Sequence, residues 1–270
     1  MADTYLYFAG FELAPVKEVG PKAHEAANKA LSLDDSLAQS HLALGFYYRA
    51  KLDFQNAEKE MKRAIELDPD YPRAHRALSN VYCLLGQHQE AVLEVDRVLE
   101  LDPLSTGAHA YAGFYLTAAR HYDRALQEFE KAIEMDPNYC STYVYLGQLY
   151  RAQGKLDDAI RVLRMPRAQA IECSGTWGMS ELAYTYAVAG RRDEAEKLLA
   201  EILEYSKQKF VTSNYIAVVY LGLGDKDQAL YWLDKGVREE WLWVGDLLMY
   251  LPTLRADPKF ADFLRRIHLQ

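Results

Sequence analysis

His41-Leu42-Ala43-Leu44-Gly45-Phe46-Tyr47-Tyr48 is echoed 34 residues later by His75-Arg76-Ala77-Leu78-Ser79-Asn80-Val81-Tyr82. It is echoed again by His109-Ala110-Tyr111-Ala112-Gly113-Phe114-Tyr115-Leu116. Behind each copy stands an alanine, at Ala57, Ala91 and Ala125, and the alanine series runs on through Ala159, Ala195 and Ala229. The steps are 34, 34, 34, 36 and 34 residues. A fixed period of this length predicts stacked helix-turn-helix units. Such an array has no single enclosed core; it offers an extended surface rather than a catalytic pocket.

Aligned on the alanines, full windows start near residues 38, 72, 106, 140, 176 and 210. Each reads as a first helix (A), a short turn, a second helix (B) and a loop. Gly86, Gly154, Gly190 and Gly224 mark the turn, where a residue able to take positive φ ends helix A. Leu52 and Arg120 stand in that place in two repeats, so those turns are expected to close differently. Helix B ends before Asp68-Pro69, Asp102-Pro103 and Asp136-Pro137, because proline cannot continue a helix and holds its predecessor extended. Small residues (Gly45, Ser79, Gly113, Gly147, Ala183, Ala217) recur three places before large ones (Tyr48, Tyr82, Leu116, Tyr150, Tyr186, Tyr220), a pattern that lets helices interlock. Ala91 and Ala125 are expected at tight crossings.

The ends are less regular. Residues 1–37 read as a degenerate first repeat, with Tyr5–Leu13 as its helix A and 22–35 as its helix B. Residues 38–173 hold four regular repeats. Pro166 falls where the fourth helix B would continue, which predicts a shortened helix and an irregular insertion ending at Ser174-Gly175-Thr176-Trp177-Gly178. Two further repeats fill 174–243. Residues 244–270 read as a cap, with Phe260, Phe263, Leu264 and Ile267 at helical spacing to seal the last repeat.

Half of the residues are hydrophobic, and the net charge of −8 lies in the first half of the chain. Residues 1–139 carry 14 basic and 22 acidic side chains, against 17 and 17 in 140–270. An acidic chain without clustered Lys and Arg argues against nucleic acid as a partner. No run of eighteen apolar residues suggests a membrane span. Met1-Ala2-Asp3-Thr4 lacks the basic flank of a secretory signal. Cys83, Cys140 and Cys173, odd in number and widely spaced, read as buried small residues rather than a disulfide framework. These features point to a reducing cytoplasm.

Leu-Gly-x-x-Tyr (Leu44, Gly45, Tyr48; Leu146, Gly147, Tyr150), the following alanine and the terminal proline resemble the tetratricopeptide repeat. The match is close over 38–165 and looser over 176–240. The resemblance implies an all-α right-handed superhelical solenoid of about seven repeats with a C-terminal capping helix. Leu221-Gly222-Leu223-Gly224-Asp225-Lys226-Asp227-Gln228-Ala229-Leu230, Leu254-Arg255-Ala256-Asp257-Pro258-Lys259-Phe260 and Leu264-Arg265-Arg266 further resemble the repeat region of bacterial signalling and transcription-regulatory proteins. That implies a non-catalytic scaffold binding a partner protein or extended peptide. The alternative is a regulatory sensor whose groove holds a small ligand and acts on a separate output domain.

No phosphate-binding glycine loop, nucleophile elbow or zinc-protease motif occurs, so no catalytic residue and no cofactor is assigned. His41, His75 and His109 repeat at 34 but fall on successive helices, where they read as packing residues rather than ligands of one metal ion. Charge sorts by helix. Windows 38–51, 72–85, 106–119, 140–153 and 210–223 contain no Asp or Glu, and 176–189 contains only Glu181. The resemblance places the A helices on the concave face, which is therefore expected to be neutral to basic. It assigns to the groove Phe46 and Arg49 from the first full repeat, then Arg73, Arg76 and Asn80, Tyr111 and Phe114, and Tyr145, Gln148 and Arg151. Trp177, Tyr184, Asn214 and Tyr215 complete it. Around Arg49, Arg73, Arg76, Asn80 and Arg151 the expected partner carries acidic residues or a free carboxylate. The carboxylate clamp of chaperone-type repeats is matched at Arg76 and Asn80 but not at Tyr111, Ser141 and Tyr145.

Overall fold

The computed structural model describes residues 16–165, 168, 176–238 and 244–269. Among them no strand occurs, and helices follow one another in pairs. Helix α1 (Val16–Leu33) precedes α2 (Ala38–Ala50) with α3 (Phe54–Leu67), and α4 (Pro72–Leu84) with α5 (His88–Leu101). Then come α6 (Thr106–Ala118) with α7 (Tyr122–Met135), and α8 (Cys140–Ala152) with α9 (Leu156–Leu163). Helices α10 (Trp177–Val188) with α11 (Arg192–Ser206), and α12 (Ser213–Leu223) with α13 (Lys226–Arg238), complete the repeats. The chain ends in a 3-10 turn at Val244–Tyr250, α14 (Leu251–Arg255), a 3-10 turn at Pro258–Phe260, and α15 (Ala261–Arg266).

Packing divides the chain into two compact units, Met1–Leu101 with Gly236–Gln270, and Asp102–Lys235. In the first, α2 packs on α1, α3 and α4, and α4 packs on α3 and α5. In the second, α6 packs on α7 and α8, α8 on α7, α9 and α10, and α10 on α9, α11 and α12. Within each unit, these A helices thus touch their own B helix and a neighbouring A helix, the contacts that a 34-residue repeat requires.

The small residues of the A helices are where the B helices insert. A Cβ on Gly45 would stand 2.7 Å from Cγ of Met61, one on Gly113 2.5 Å from Cε1 of Phe129, and one on Gly147 2.5 Å from Cγ of Leu163. Gly113 and Gly147 therefore make room for large side chains that are fully buried. Where the equivalent A residue is Ser79, the B residue is the smaller Val95. Ala91 and Ala125 are buried, as a crossing position requires.

The repeats close their A helices in a common way, and here one sequence expectation is corrected. Leu52 and Arg120 adopt φ of 62° and 63°, beside 76° at Gly86, Gly154 and Gly190. The following amide returns to the carbonyl five residues earlier in each case: Asp53 to Tyr48 at 2.9 Å, Gln87 to Tyr82 at 2.8 Å, His121 to Leu116 at 2.9 Å. The hydrogen-bond pattern of the turn overrides residue preference, at a cost of about 1–2 kcal/mol for an L side chain in this region. Arg120 is exposed, so glycine there loses no packing. Arg120→Gly should stabilise the chain by about 0.5–1 kcal/mol after the extra chain entropy of glycine. A lower thermal midpoint for the variant would contradict this.

The fourth B helix, α9, has 8 residues where α3, α5 and α7 have 14 each. It ends at Leu163, ahead of Pro166, as the proline requires. The expected insertion beyond it, and Tyr5–Leu13, lie outside the described residues. Helix α1 packs on α2: Ala23 and Ala27 are buried, and Ala27 joins Ala43 and Leu44 of α2.

The C-terminal segment carries the apolar pattern expected of it, with Phe260, Phe263, Leu264 and Ile267 all buried. The 3-10 turn Val244–Tyr250 lies against α4, and Arg255 Nη2 donates to the Leu84 carbonyl at 3.3 Å. Within the first unit the described contacts thus give this segment an early A helix as a neighbour.

Candidate functional site

The A helices carry all fourteen proposed groove residues, five in the first unit and nine in the second, of which Asn80, Phe114, Gln148, Tyr184 and Asn214 are buried. In the first unit Phe46, Arg49, Arg73 and Asn80 form one cluster. The guanidinium carbons of Arg49 and Arg73 each stand 5.3 Å from the Phe46 ring centroid. Arg49 also donates to Asn80 Oδ1 at 2.7 Å. Stacking on the ring and a side-chain amide fix the direction of these cations. Arg76 sits one helical turn from Arg73 and Asn80 on α4, half-buried. Helices α2 and α4 contain no carboxylate.

The second unit presents aromatic rings. Tyr145 lies at the centre, 5.9 Å from Tyr111, 4.7 Å from Phe114 and 5.0 Å from Trp177, centroid to centroid. Three successive A helices, α6, α8 and α10, contribute to this row because equivalent positions recur every 34 residues. Tyr111, Tyr145 and Trp177 keep partial exposure, whereas Phe114 is buried. Asn214 is buried, and Tyr215 packs on the apolar cluster of Ala183, Ile202 and Ile216.

Beside the row, Arg151 makes an ion pair within the fold. Its Nη1 donates to Glu181 Oε2 at 2.6 Å, and Gln148 Nε2 donates to Glu181 Oε1 at 2.7 Å. The guanidinium also stacks on Tyr184 at 4.6 Å. Glu181 is 2% exposed. Glu181, the one acid of the described A helices, is thus paired with Arg151 inside the fold.

The histidine ladder proves to be a set of bridges. His41, His75 and His109 each place Nδ1 against a B-helix carboxylate nineteen residues on: Glu60 at 2.7 Å, Glu94 at 2.5 Å and Glu128 at 2.5 Å. Nε2 faces the carbonyl of Asp35, Pro69 or Pro103, six residues back. In the fourth repeat Tyr143 reaches the Pro137 carbonyl at 2.9 Å, and Val162 stands where the glutamate was. Histidine and glutamate leave together. That paired exchange at a spacing of 19 is visible in the sequence once the repeats are aligned. Among the described residues no group of three or more His, Cys, Asp or Glu is placed to hold a metal ion.

Burial opposes a charge on His75, but the Glu94 carboxylate and the Pro69 carbonyl outweigh it and hold its pKa above the ordinary value; Arg97 opposes them weakly. Only a doubly protonated ring donates from both nitrogens. His75 therefore adds stability that is complete below about pH 6.5, the unfolded value, and is lost as pH rises through the higher folded value. The thermal midpoint should fall across that window, and more steeply than in a His75→Tyr, Glu94→Val chain built on the Tyr143–Val162 pattern. Equal pH slopes would contradict the bridge.

The cysteines divide. Cys83 is a free, buried thiol whose pKa burial pushes up to about 12, which makes it unreactive. Cys140, at the start of α8, is disulfide-bonded, contrary to the expectation of three unpaired cysteines. No described helix is long and apolar enough to cross a membrane.

Comparison with known proteins agrees with this architecture. Models of the tetratricopeptide repeat match residues 48–112, 113–139, 128–161 and 176–201, together just over half of the chain. No curated protein matches in sequence. Among solved structures, a tetratricopeptide repeat protein from Parabacteroides merdae ATCC 43184 is similar with 16% identity and a TM-score of 0.62, over 92% of this chain and 97% of that one. A thermophilic TPR protein in Thermus thermophilus is similar with 23% identity and a TM-score of 0.57, over 69% and 98%. The APC/C hetero-tetramer Cut9-Hcn1 is similar with 16% identity and a TM-score of 0.62, covering 92% of this chain. This chain spans 46% of the length of that one, less than half. At such identities the likeness concerns the fold. Paired helices at a 34-residue period, shared turn geometry, small-on-large crossings and the matching repeat models place the chain in the tetratricopeptide repeat family, whose members generally mediate protein–protein interactions.

Proposed function

We propose that the chain is a non-catalytic scaffold that holds a partner protein or extended peptide along its A-helix face, in bacterial signalling or regulation. The observation that carries this reading is the clustering of Phe46, Arg49, Arg73 and Asn80 on helices without a carboxylate. Oriented guanidinium groups favour acidic side chains or a terminal carboxylate, since charge-assisted hydrogen bonds are stronger than neutral ones. Tyr111, Tyr145 and Trp177 supply the rigid aromatic area that interfaces favour. The signalling role is supported by the resemblance of Leu254–Phe260 and Leu264–Arg266 to the repeat regions of bacterial regulators. Placement in a reducing cytoplasm carries a consequence: the Cys140 disulfide would be reduced there.

The test is direct. With a captured partner in hand, Arg73→Glu together with Arg76→Glu should weaken binding at least tenfold and reduce its salt sensitivity, with helical content unchanged. Undiminished affinity in the double variant would overturn the assignment. The sensor reading has one observation in its favour. Gln148, buried beside the aromatic row, has no hydrogen-bond partner for Oε1 among the described residues. Native mass spectrometry distinguishes the two, a small bound mass supporting the sensor and a bound polypeptide the scaffold.

A further inference from the structure

The C-terminal segment is too apolar to stand alone. Leu247, Leu251, Leu254, Phe260, Phe263 and Ile267 are each at most 1% exposed. A stretch of this length lies well below the roughly 40 residues at which a chain can bury a core of its own. Cover must come from elsewhere, and within the first unit α4 supplies part of it, with the 3-10 turn Val244–Tyr250 packed against that helix. Like most other A helices, α4 is largely enclosed: from Ala74 to Leu84 only Arg76 is not buried. On the neighbouring A helix, α2, the residues from Phe46 to Ala50 all keep partial exposure.

One side chain locks the arrangement. Arg255 Nη2 donates to the Leu84 carbonyl at 3.3 Å, and Nε donates to the Leu269 carbonyl at 3.2 Å. The same guanidinium thus closes the segment on itself and ties it to the last residue of α4. A cation belongs at that position, because the C-terminal end of a helix carries partial negative charge and unpaired carbonyls.

We infer that the α4 face is a segment-binding site which residues 244–269 occupy in cis. The external partner enters by displacing them, so it presents the same chemistry: leucine or aromatic anchors at helical spacing and a basic group for the end of α4. This rests on the reading of the A-helix face as the partner surface, and it adds a gate. A tethered segment competes at an effective concentration on the order of millimolar. A partner must therefore match its contacts, and the intact chain binds more weakly than one whose segment is loosened.

A labelled peptide of residues 244–269 tests this without any captured partner. It is titrated by fluorescence anisotropy against the full-length chain and against full-length Arg255→Ala, Leu251→Ala. The variant should bind the peptide at least tenfold more tightly than the wild type. Amide exchange over residues 72–84 should rise in the variant and fall again when peptide is added. Equal binding to both chains would overturn the inference, as would binding to neither while exchange shows α4 uncovered in the variant. If the double variant fails to fold, Arg255→Gln takes its place with the same readouts. Loss of fold in that chain too would make the segment obligatory core and would equally overturn the gate. Partner affinity lost through Arg73 and Arg76 is a separate result, so failure of the gate leaves the groove assignment standing.

Discussion

Replacing Arg151 by alanine is expected to destabilise the protein by about 3–5 kcal/mol, the cost of stranding a buried charge. Glu181 is almost fully enclosed and draws its compensation from Arg151 at 2.6 Å and Gln148 at 2.7 Å. Without the guanidinium, a carboxylate that has little access to water loses its paired cation. The double change Arg151→Met, Glu181→Leu removes both charges and keeps most of the volume, so it should cost far less than the single one. Urea unfolding followed by circular dichroism reads both. An Arg151→Ala chain with wild-type stability would mean that the arginine is the groove residue the sequence suggested.

The second large effect is expected at the helix crossings. Gly113→Ser places new atoms where Cε1 of Phe129 already stands 2.5 Å from the Cβ position. Neither partner has room to retreat, since Phe129 is fully buried, and overpacking of this kind costs about 1–3 kcal/mol. The chain itself shows a remedy in Ser79 and Val95, which hold the equivalent places one repeat earlier. Gly113→Ser with Phe129→Val should therefore be less damaging than the two single changes predict by addition. Strict additivity in the unfolding free energies would contradict the crossing.

The architecture was legible because a repeat states its geometry several times. Six alanines, four glycines and three Asp-Pro pairs set the register, and Pro166 shortened its helix as expected. The turns at Leu52 and Arg120 were misread for a physical reason. Residue preference at a left-handed position amounts to about one or two kcal/mol, while the returning amide bonds of the turn recur from repeat to repeat. Site chemistry was less legible wherever it depends on pairs. The bond between Arg151 and Glu181 joins residues 30 apart on neighbouring A helices, and the sequence shows each only as an isolated charge. The His–Glu bridges could have been found, because Tyr143 and Val162 replace both members at once. The apolar spacing of the C-terminal segment said that it would be buried, but spacing carries no information about which helix covers it.

The claim that the A-helix face receives the partner is tested most directly by photo-crosslinking. A photoreactive amino acid is introduced in separate chains at Tyr145, at the centre of the aromatic row, and at Glu130, exposed on a B helix. Illumination in the presence of the captured partner should give a covalent adduct from position 145 and none from position 130. An adduct from 130 with none from 145 would contradict the account.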